Sequence, residues 1–409
     1  MTLPKTYKAA QISAKSAPFE IVERELKQPQ EGQILVKVLA SGVCHSDSVV
    51  VDQSMPIPLP KVPGHEIVGD VVSVGPGEKR WKVGDRVGSG WHGGHCFVCK
   101  SCLAGDFITA SDGHLIIQYL LTYPDRRTQC ENENINGVIT DGGHAEYVIL
   151  RTESVASIPT DIEPAKAAPL LTTFNSLRHM DIHPGDVVAV QGVGGLGHLA
   201  IQFARQMGYK TVALSQTDSK RQLAMDLGAH VYVDGSKEDH GEALQKLGGA
   251  KVIMAVAPSG EAIAKLIGGL AIGKPTPVLQ PSQLSLTFLF PRATGGQLLI
   301  LAIADQLTVP MVCVLALLPP TPWANSDLCF LRTDALFPPF APLYRPLVQK
   351  RLQIRGWPSG SAYDSEECIQ FAQVSGVECQ VQTYPLEKIQ EAYDSMMNGS
   401  ARFRAVITF

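Results

Sequence analysis

The chain has 409 residues, 45% of them hydrophobic, and a formal net charge of −4. This length is enough for two or three domains with substantial apolar cores. The weak negative charge is spread without long like-charge runs, which excludes a surface built for nucleic acid or anionic membranes and leaves small organic substrates open.

The first part of the chain, residues 1–155, is predicted to be a β-rich domain. It opens with MTLPKTYKAAQISAK, which lacks the apolar core of a secretory signal, so a cytoplasmic protein is expected. Short alternating runs such as QILVKVLA and HEIVGDVVSVG follow, separated by glycine and proline. This pattern is typical of strands joined by tight turns.

Cysteine usage indicates metal ligands more than disulfides. The chain has nine cysteines, an odd number, and no export signal, which disfavours a disulfide framework. Cys44 in GVCHSD and His65 in GHEIVG offer a thiolate and an imidazole, both suited to zinc. A separate cluster has metal-like spacing and consists of Cys96, Cys99, Cys102 and, after a long interval, Cys130.

From Asp186 onward the pattern alternates between strands and helices. VVAVQ, TVALS, HVYVD and KVIMAV are apolar and strand-like, and the helix-period segments HLAIQFARQMG and SKRQLAMDLG separate the first three of them. Such alternation predicts an α/β fold, a doubly wound parallel sheet of Rossmann type over residues 156–358. QLLILA and QIRGW are predicted as its later strands.

A glycine-rich turn after the first of these strands predicts a dinucleotide site. It opens a helix, and its glycines allow close approach of a pyrophosphate to backbone N–H groups at the helix N-terminus. The alternative is a tight strand-to-helix turn that needs small residues for packing alone. The motif consists of Gly192, Gly194, Gly195, Leu196 and Gly197.

The end of the next strand favours NADP(H) over NAD(H). NAD sites usually place a carboxylate there for the ribose 2′-hydroxyl, whereas this chain has Ser215, followed by Lys220 and Arg221. The two cations are suited to a 2′-phosphate. The alternative is that both belong only to the solvated first turn of a helix.

Residues 359–409 are predicted to return to the β-rich domain. Helices are predicted over Ser365–Gln373 and Leu386–Met397, and the final ARFRAVITF is predicted to be an edge strand. The stretch nearest to a membrane span, QLLILAIADQLTVPMVCVLALL, is interrupted by Asp305 and Pro310, so no span is predicted.

Cys44 and His65 lie in glycine-framed motifs upstream of a dinucleotide-binding fold. With these motifs the sequence resembles the zinc-dependent medium-chain alcohol dehydrogenases, and most of all a fungal branch of that family. The resemblance covers nearly the whole chain apart from three segments. It implies a GroES-like catalytic domain beside the Rossmann domain, and hydride transfer between NADP or NAD and a primary alcohol or aldehyde. It also implies a homo-oligomer formed through Leu298–Met311, unless insertions block it, and allows a role in fungal secondary metabolism.

The resemblance also assigns roles to individual residues. It implies that Cys44 and His65 bind a catalytic zinc, a Lewis acid for the substrate oxygen, with Glu66 beside them or as an alternate ligand. Ser46 lies where the family passes on the alcohol proton, and His45 where a side chain meets the cofactor phosphates. The ligands of a closed structural zinc site would be Cys96, Cys99, Cys102 and Cys130.

Three segments interrupt the resemblance. Removing Ala110–Gln129 restores the family's cysteine spacing, and removing Lys274–Gly295 and Cys313–Arg345 restores continuity elsewhere. We interpret them as translated introns, which sequencing of the mature transcript would test. The alternative is genuine surface insertions, which loop-closure entropy tolerates at ~0.6 kcal/mol per doubling of length.

Two family positions differ in chemistry. Val49 replaces a histidine that continues the proton relay in many relatives, so the relay would end at the cofactor ribose or at water. Relatives carry a third zinc cysteine where this chain reads Leu171-Thr172, as though a short segment were missing. Glu66 or Thr172 would have to complete the site. The alternative function is a reductase without catalytic zinc, or an inactive cofactor-binding homologue.

Overall fold

A computed structural model describes residues 2–103, 130, 132–256, 260–271, 297–300, 353–356 and 360–409. The segments interpreted as introns, Ala110–Gln129, Lys274–Gly295 and Cys313–Arg345, lie outside the described residues. The chain divides into two compact units. The first comprises residues 1–179, 194–206 and 356–409, and the second comprises residues 180–193 and 207–355. The domain boundaries drawn from the sequence stay a prediction.

The strands of the described residues are β1 Thr6–Gln11, β2 Glu20–Glu25, β3 Gln33–Gly42, β4 Ile67–Val74, β5 Arg86–Ser89, β6 His92–Gly94, β7 Asn134–Ile135, β8 Tyr147–Arg151, β9 Ala156–Ser157, β10 Val187–Gln191, β11 Lys210–Ser215, β12 Val231–Asp234, β13 Val252–Ala255, β14 Gln297–Ile300, β15 Gln353–Gly356, β16 Val381–Pro385 and β17 Arg404–Thr408. The α-helices are α1 Ser48–Val51, α2 Lys100–Leu103, α3 Pro164–Ala167, α4 Leu171–Arg178, α5 Gly197–Gln206, α6 Arg221–Asp226, α7 His240–Lys246, α8 Gly260–Ala264, α9 Ala362–Ser375 and α10 Ile389–Met397. Among these helices, none is long and apolar enough to cross a membrane.

The first unit is built around a mostly antiparallel sheet. Within the described residues its strand order is β16-β17-β3-β4-β5-β9, and β8 also pairs with β3. Most of β3 is buried, as expected for a strand with neighbours on both sides, and Lys37 is its exposed residue. Ile34, Val36 and Val38 are fully buried and pack against Trp81 and Val87. The predicted β-rich domain is therefore confirmed.

The last strand corrects one prediction. ARFRAVITF does return to the first unit, but β17 lies inside the sheet, parallel to β16 and antiparallel to β3. All residues from Arg404 to Ile407 are buried, because a central strand is covered on both faces. The pattern of apolar residues in one short strand does not show whether the strand pairs with other strands on one edge or on both.

The second unit contains the predicted parallel sheet. Its order in the described residues is β12-β11-β10-β13-β14-β15, and the pairings from β12 to β14 are parallel. Leu214, Leu244 and Ile253 are fully buried in one apolar cluster of this unit, and each contributes roughly 1.5–3 kcal/mol by its burial. The α/β architecture of Rossmann type is confirmed.

The C-terminal helices differ from the prediction only at their ends. Helix α9 is longer than Ser365–Gln373, because a capping box between Ser361, the residue before it, and Asp364 in its first turn starts it earlier, and left-handed Gly376 ends it. The segment Leu386–Met397 begins as a 3₁₀ turn over Leu386–Lys388 and continues as α10.

Candidate active site

Cys44, His65 and Glu66 form a compact group of possible metal ligands. Cys44 follows the end of β3, and His65 and Glu66 directly precede β4. Because these strands are antiparallel, with Ser41 opposite Ile67, the end of β3 meets the start of β4. One ligand atom from each of the three residues lies within 4.8 Å of the others.

Cys44 and His65 stabilise each other's charged forms. Burial raises the pKa of the Cys44 thiol, but the charge of Arg404 and the charge and hydrogen bond of His65 outweigh it and lower the pKa to about 6. Burial lowers the pKa of His65, but Asp47 and Cys44 raise it to about 10. Zinc is held by a thiolate and a neutral imidazole, so metal binding would release the His65 proton.

Asp47, which the sequence analysis did not single out, faces His65. Its side chain is 1% exposed, and its Oδ1 lies 3.3 Å from Nδ1 of His65. The contact is electrostatic, because Nδ1 of His65 has no aligned hydrogen-bond partner among the described residues. Burial raises the pKa of Asp47, but the charge of His65 and a hydrogen bond from His144 lower it well below its usual range. With Nδ1 turned to Asp47, Nε2 of His65 is left for a metal.

Glu66 has one oxygen paired and one unpaired. The first forms an ion pair with Arg404, whose side chain is 6% exposed. The second, Oε2, is buried and has no hydrogen-bond partner among the described residues. A Cβ at Gly42 would lie 2.1 Å from it, so any other residue at 42 would displace this carboxylate. A buried unpaired carboxylate oxygen is unfavourable, and a cation beside Cys44 and His65 would satisfy it.

Arg404 is a second residue that the sequence analysis missed. It lies at the start of β17, and a Cβ at Gly195 would be 3.1 Å from its Nη1. The guanidinium therefore lies between Glu66 and the glycine-rich turn. A lone arginine in an apolar strand was the signal in the sequence, since a buried charge needs a partner.

His45 and Ser46 lie in the 3₁₀ turn that directly follows Cys44. His45 is exposed and Ser46 is half-buried, so both are accessible beside the ligand group. Val49 in α1 is 7% exposed and packs in an apolar cluster with Ile12 and Ile135. It offers no continuation of a proton relay.

The position of the missing cysteine lies at the start of α4. Leu171 and Thr172 are its first two residues. The neighbouring Thr173 is fully buried, and its hydroxyl has no hydrogen-bond partner among the described residues. In the part of the chain that the structure describes, the ligand group consists of Cys44, His65 and Glu66.

The cysteine cluster forms a second ligand group, as the sequence predicted. Its four sulfur atoms lie within 4.8 Å of one another, and Cys96 Sγ is 3.9 Å from Cys102 Sγ. A tetrahedral zinc with Zn–S bonds of about 2.3 Å places its sulfurs roughly 3.8 Å apart, so the cluster fits this ion. The four residues are Cys96, Cys99, Cys102 and Cys130.

Backbone N–H groups also prepare the cluster for a metal. The turn after Cys96 has Phe97 in the left-handed region, with φ 62°. The N–H groups of Val98 and Cys99 lower the pKa of the Cys96 thiol to about 6. Cys130 Sγ accepts hydrogen bonds from the N–H of Cys96 at 3.2 Å and from the N–H of Asn132 at 3.4 Å. Donors aimed at sulfur favour the thiolate form that zinc requires, but burial still raises the pKa of Cys130 and, with the neighbouring thiols, raises that of Cys102 to about 12.

Three ring-bearing residues, Trp91, His92 and Phe174, differ in how they relate to the ligand group. Trp91 packs edge-on against His65 with ring centroids 4.9 Å apart. His92 is buried and hydrogen-bonds His95 at 3.0 Å, and Phe174 is a buried core residue. Trp91 is therefore the one of these three that contacts the ligand group.

The glycine-rich motif joins β10 to α5, in the predicted context. Gly192, Gly194, Gly195 and Leu196 are half-buried and lead into Gly197, the first residue of the helix. A Cβ at Gly194 would meet no described heavy atom within 4 Å. The turn thus leaves room beside its backbone, as a pyrophosphate site requires.

His198 stabilises this turn from the helix. It is fully buried, its Nδ1 lies 3.1 Å from the Gly194 carbonyl oxygen, and its Nε2 accepts the N–H of Gln380 at 3.1 Å. Its ring also stacks on Phe403. A neutral imidazole with its proton on Nδ1 makes both hydrogen bonds, as donor to the Gly194 carbonyl and as acceptor from the Gln380 N–H.

Acid is expected to weaken the fold through His198. Burial lowers the pKa of His198 to about 4. Between the unfolded pKa of about 6.5 and this value, only the unfolded chain takes up the proton, so stability falls as pH falls. The free energy of unfolding, measured with denaturant, should fall between pH 7.5 and pH 4.5 in both proteins. We expect the fall to be roughly 2 kcal/mol larger in the wild type than in His198→Asn. Equal losses in the two proteins would contradict this.

The three residues assigned to cofactor choice lie at the end of β11 and in the segment that follows it. Ser215 is its last residue, and Lys220 Nζ donates to the Val193 carbonyl at 2.9 Å. Arg221 lies over the Tyr232 ring at 4.8 Å and pairs with Asp218 at 2.6 Å. The sequence analysis did not consider Asp218, a carboxylate that partly offsets the two cations.

A cavity of about 350 Å³ opens at this end of the sheet in the second unit. It lies at the carboxyl ends of β11 and β12, where open parallel sheets bind ligands. His240 Nε2 lies 3.1 Å from the Ser215 carbonyl oxygen at its edge. The lining residues are Gln216, Gly235, Glu238, Asp239, His240, Ala262, Lys265 and Leu266.

A parallel sheet with a glycine-rich turn, together with a cysteine–histidine–glutamate group that could hold a metal, is the combination found in metal-dependent, nucleotide-linked dehydrogenases. Comparison with known proteins agrees. The family profile described as alcohol dehydrogenase GroES-like domain matches residues 30–160, and the one described as zinc-binding dehydrogenase matches residues 195–273.

Similar proteins cover the chain from end to end. Alcohol dehydrogenase patD of Aspergillus clavatus is 41% identical, with 100% of this chain and 99% of the relative covered. Alcohol dehydrogenase notN of an Aspergillus species is 37% identical with the same coverage. The solved structure of acetophenone reductase from Geotrichum candidum in complex with NAD is 20% identical, with a TM-score of 0.72 over 100% of this chain and 99% of that one. The chain belongs to the zinc-containing medium-chain alcohol dehydrogenase family.

Proposed function

We propose that this chain is a zinc-dependent dehydrogenase that moves a hydride between NADP(H) and a primary alcohol or aldehyde. The observation that carries the proposal is the grouping of Cys44, His65 and Glu66 within 4.8 Å. The buried, unpaired Oε2 of Glu66 supports a cation at this point. The family membership supports the reaction class.

Cys44, His65 and Glu66 would hold the catalytic zinc. A soft thiolate, an imidazole and a carboxylate are all ligands that zinc accepts, and a catalytic site keeps one further position open. When bound, the ion supplies Lewis acidity to the oxygen of the alcohol or carbonyl. The cysteine cluster would hold a second, structural zinc, because four thiolates leave no position open.

The surrounding residues would orient the reacting groups. Asp47 holds the ring of His65 from its Nδ1 side. Ser46, half-buried beside Cys44, would pass a proton between the substrate oxygen and the cofactor ribose or water. The exposed His45 would meet the cofactor phosphates, and Arg404 at Gly195 adds a cation for the pyrophosphate.

A second function, a reductase without catalytic zinc, rests on a specific observation. In the described residues the ligand group contains one thiol, Cys44, and Glu66 is already engaged by Arg404. A carboxylate replaces a thiolate poorly for a borderline-soft metal. Zinc content separates the two functions, because the first requires two ions per chain and the second at most one.

The experiment is metal analysis of the purified 409-residue protein, combined with NADPH oxidation in the presence of aliphatic and aromatic aldehydes. Two zinc ions per chain and turnover abolished by a chelator, then restored by zinc, are expected. One zinc ion with turnover unaffected by chelation would establish the zinc-free reductase instead. One zinc ion without turnover would establish an inactive homologue.

Cofactor choice gives a sharper test. Arg221→Ala should lower kcat/KM for NADPH roughly 10-fold and leave NADH almost unchanged, because a charge-assisted bond to a phosphate contributes about 1.5–3 kcal/mol. Asp218→Asn should raise the preference for NADPH, since Arg221 loses its competing partner. Lys210→Ala, at the opposite end of β11, is the matched control. A preference that neither Arg221→Ala nor Asp218→Asn changes would contradict the assignment.

The cellular setting is a further part of the proposal. We propose a cytoplasmic homo-oligomer acting on a small molecule, and a role in fungal secondary metabolism. The oligomer segment proposed above, Leu298–Met311, is described only at its first residues. Light scattering of the full chain and microscopy of a tagged copy in a fungal host test these two points.

A further inference from the structure

His144 is a buried histidine that the proposed mechanism does not yet use. It follows Gly142 and Gly143 in the turn before β8 and is fully buried. Its Nδ1 lies 2.9 Å from Ser41 Oγ, and its Nε2 lies 3.4 Å from Oδ2 of Asp47. It therefore lies one residue beyond Asp47 in a chain of polar contacts that leads to His65.

The backbone fixes His144 beside the segment that carries His65. The N–H of Gly143 donates to the Gly64 carbonyl at 2.8 Å, and the N–H of His144 donates to the Pro63 carbonyl at 3.1 Å. Gly64 has φ +102°, and a Cβ there would be 2.7 Å from Nδ1 of His144. The imidazole thus takes the space that any other residue at 64 would fill.

The two carboxylate oxygens of Asp47 have the same kinds of partner. Oδ1 accepts the N–H of Gly64 at 3.2 Å and faces His65 at 3.3 Å. Oδ2 accepts the N–H of Cys44 at 2.9 Å and faces His144 at 3.4 Å. Each oxygen has one backbone donor and one histidine, so the plane of the carboxylate is set from both sides.

The partners also indicate the tautomer of His144. Asp47 Oδ2 can only accept, so Nε2 of His144 carries the proton and Nδ1 accepts the Ser41 hydroxyl. Buried polar chains of this kind hold one arrangement when every member is satisfied.

We propose that His144 is a positioning residue for the catalytic metal: through Asp47 it fixes the ring of His65 in the orientation that leaves Nε2 for the ion. The inference rests on the proposed metal site. Residues that orient a metal-binding histidine typically change metal affinity 10–100-fold when they are lost. We expect a change of this size for His144, although it contacts neither the ion nor the substrate.

The test is metal affinity of the full-length protein, measured by competition of Co²⁺ and Zn²⁺ with a chromophoric chelator. His144→Phe removes both polar contacts and should weaken only the second, catalytic ion, roughly 10–100-fold. It should also shift the visible spectrum of the cobalt-loaded site. His144→Gln keeps an amide donor for Asp47 and should recover most of the affinity. Phe19→Leu disturbs the ring that packs on His144, at 6.2 Å between centroids, and controls for packing alone.

The outcomes separate this inference from the proposed function. If the wild type binds no second ion, the proposed metal site fails and the inference fails with it. If the wild type binds two ions and His144→Phe binds both with unchanged affinity and spectrum, His144 is only a structural residue. If Phe19→Leu weakens the second ion as much as His144→Phe does, packing explains the effect and the proposal is overturned.

Discussion

Replacing Cys44 with serine is expected to lower the zinc content from two ions per chain to one and to reduce aldehyde turnover by at least roughly 1,000-fold. Cys44 supplies the only thiolate of the ligand group in the described residues, and a hydroxyl is a weak zinc ligand at neutral pH. Loss of Lewis acidity removes several kcal/mol of transition-state stabilisation, and each 1.36 kcal/mol is tenfold in rate. Metal analysis and steady-state kinetics on the same preparation measure both effects.

Cys379→Ser is the control for this prediction. Cys379 is also a buried free thiol, but it belongs to no ligand group of the described residues. Its loss should leave two ions and nearly normal turnover. Should Cys44→Ser keep both ions and full activity, Cys44 is no ligand, and the zinc-free reductase becomes the leading function.

The sequence predicted the elements of both units well because their signals are local. Strand β10, the glycine-rich turn and α5 follow one another within a short stretch, and the periodicity of the apolar residues identifies each of them. Cys44 and His65 were also recognisable, since glycines frame both and the two flank neighbouring strands. Their grouping follows from the antiparallel pairing of β3 and β4.

The supporting residues were not predictable in the same way, because their partners are distant in the chain. His144 meets Asp47 across 97 positions, and Arg404 meets Glu66 across 338. No periodicity links such pairs. An arginine in an apolar strand signals that a buried charge needs a partner, but the sequence does not say which residue that partner is. Asp218 was overlooked for the opposite reason, as its partner Arg221 is only three residues away and was considered without it.

Replacing Cys102 with serine is expected to remove the other zinc ion and to lower stability, while the catalytic ligands stay in place. Cys102 is 6% exposed within the cluster, and three thiolates hold zinc less firmly than four. A ligand present at about 1,000 times its Kd stabilises the folded state by about 4 kcal/mol. Thermal unfolding with and without added zinc should therefore show a zinc-dependent rise in Tm for the wild type that is largely lost in Cys102→Ser.

Cys368→Ser distinguishes loss of a ligand from loss of a buried thiol. Cys368 is fully buried and donates to the Leu170 carbonyl at 3.6 Å, so its replacement should also lower Tm, but equally with and without zinc. In Cys102→Ser, residual turnover should still depend on zinc, because Cys44, His65 and Glu66 form a separate group. If instead Cys102→Ser retains two ions and an undiminished response to zinc, the cluster is not a metal site, and the zinc count assigned to the catalytic group must be revised.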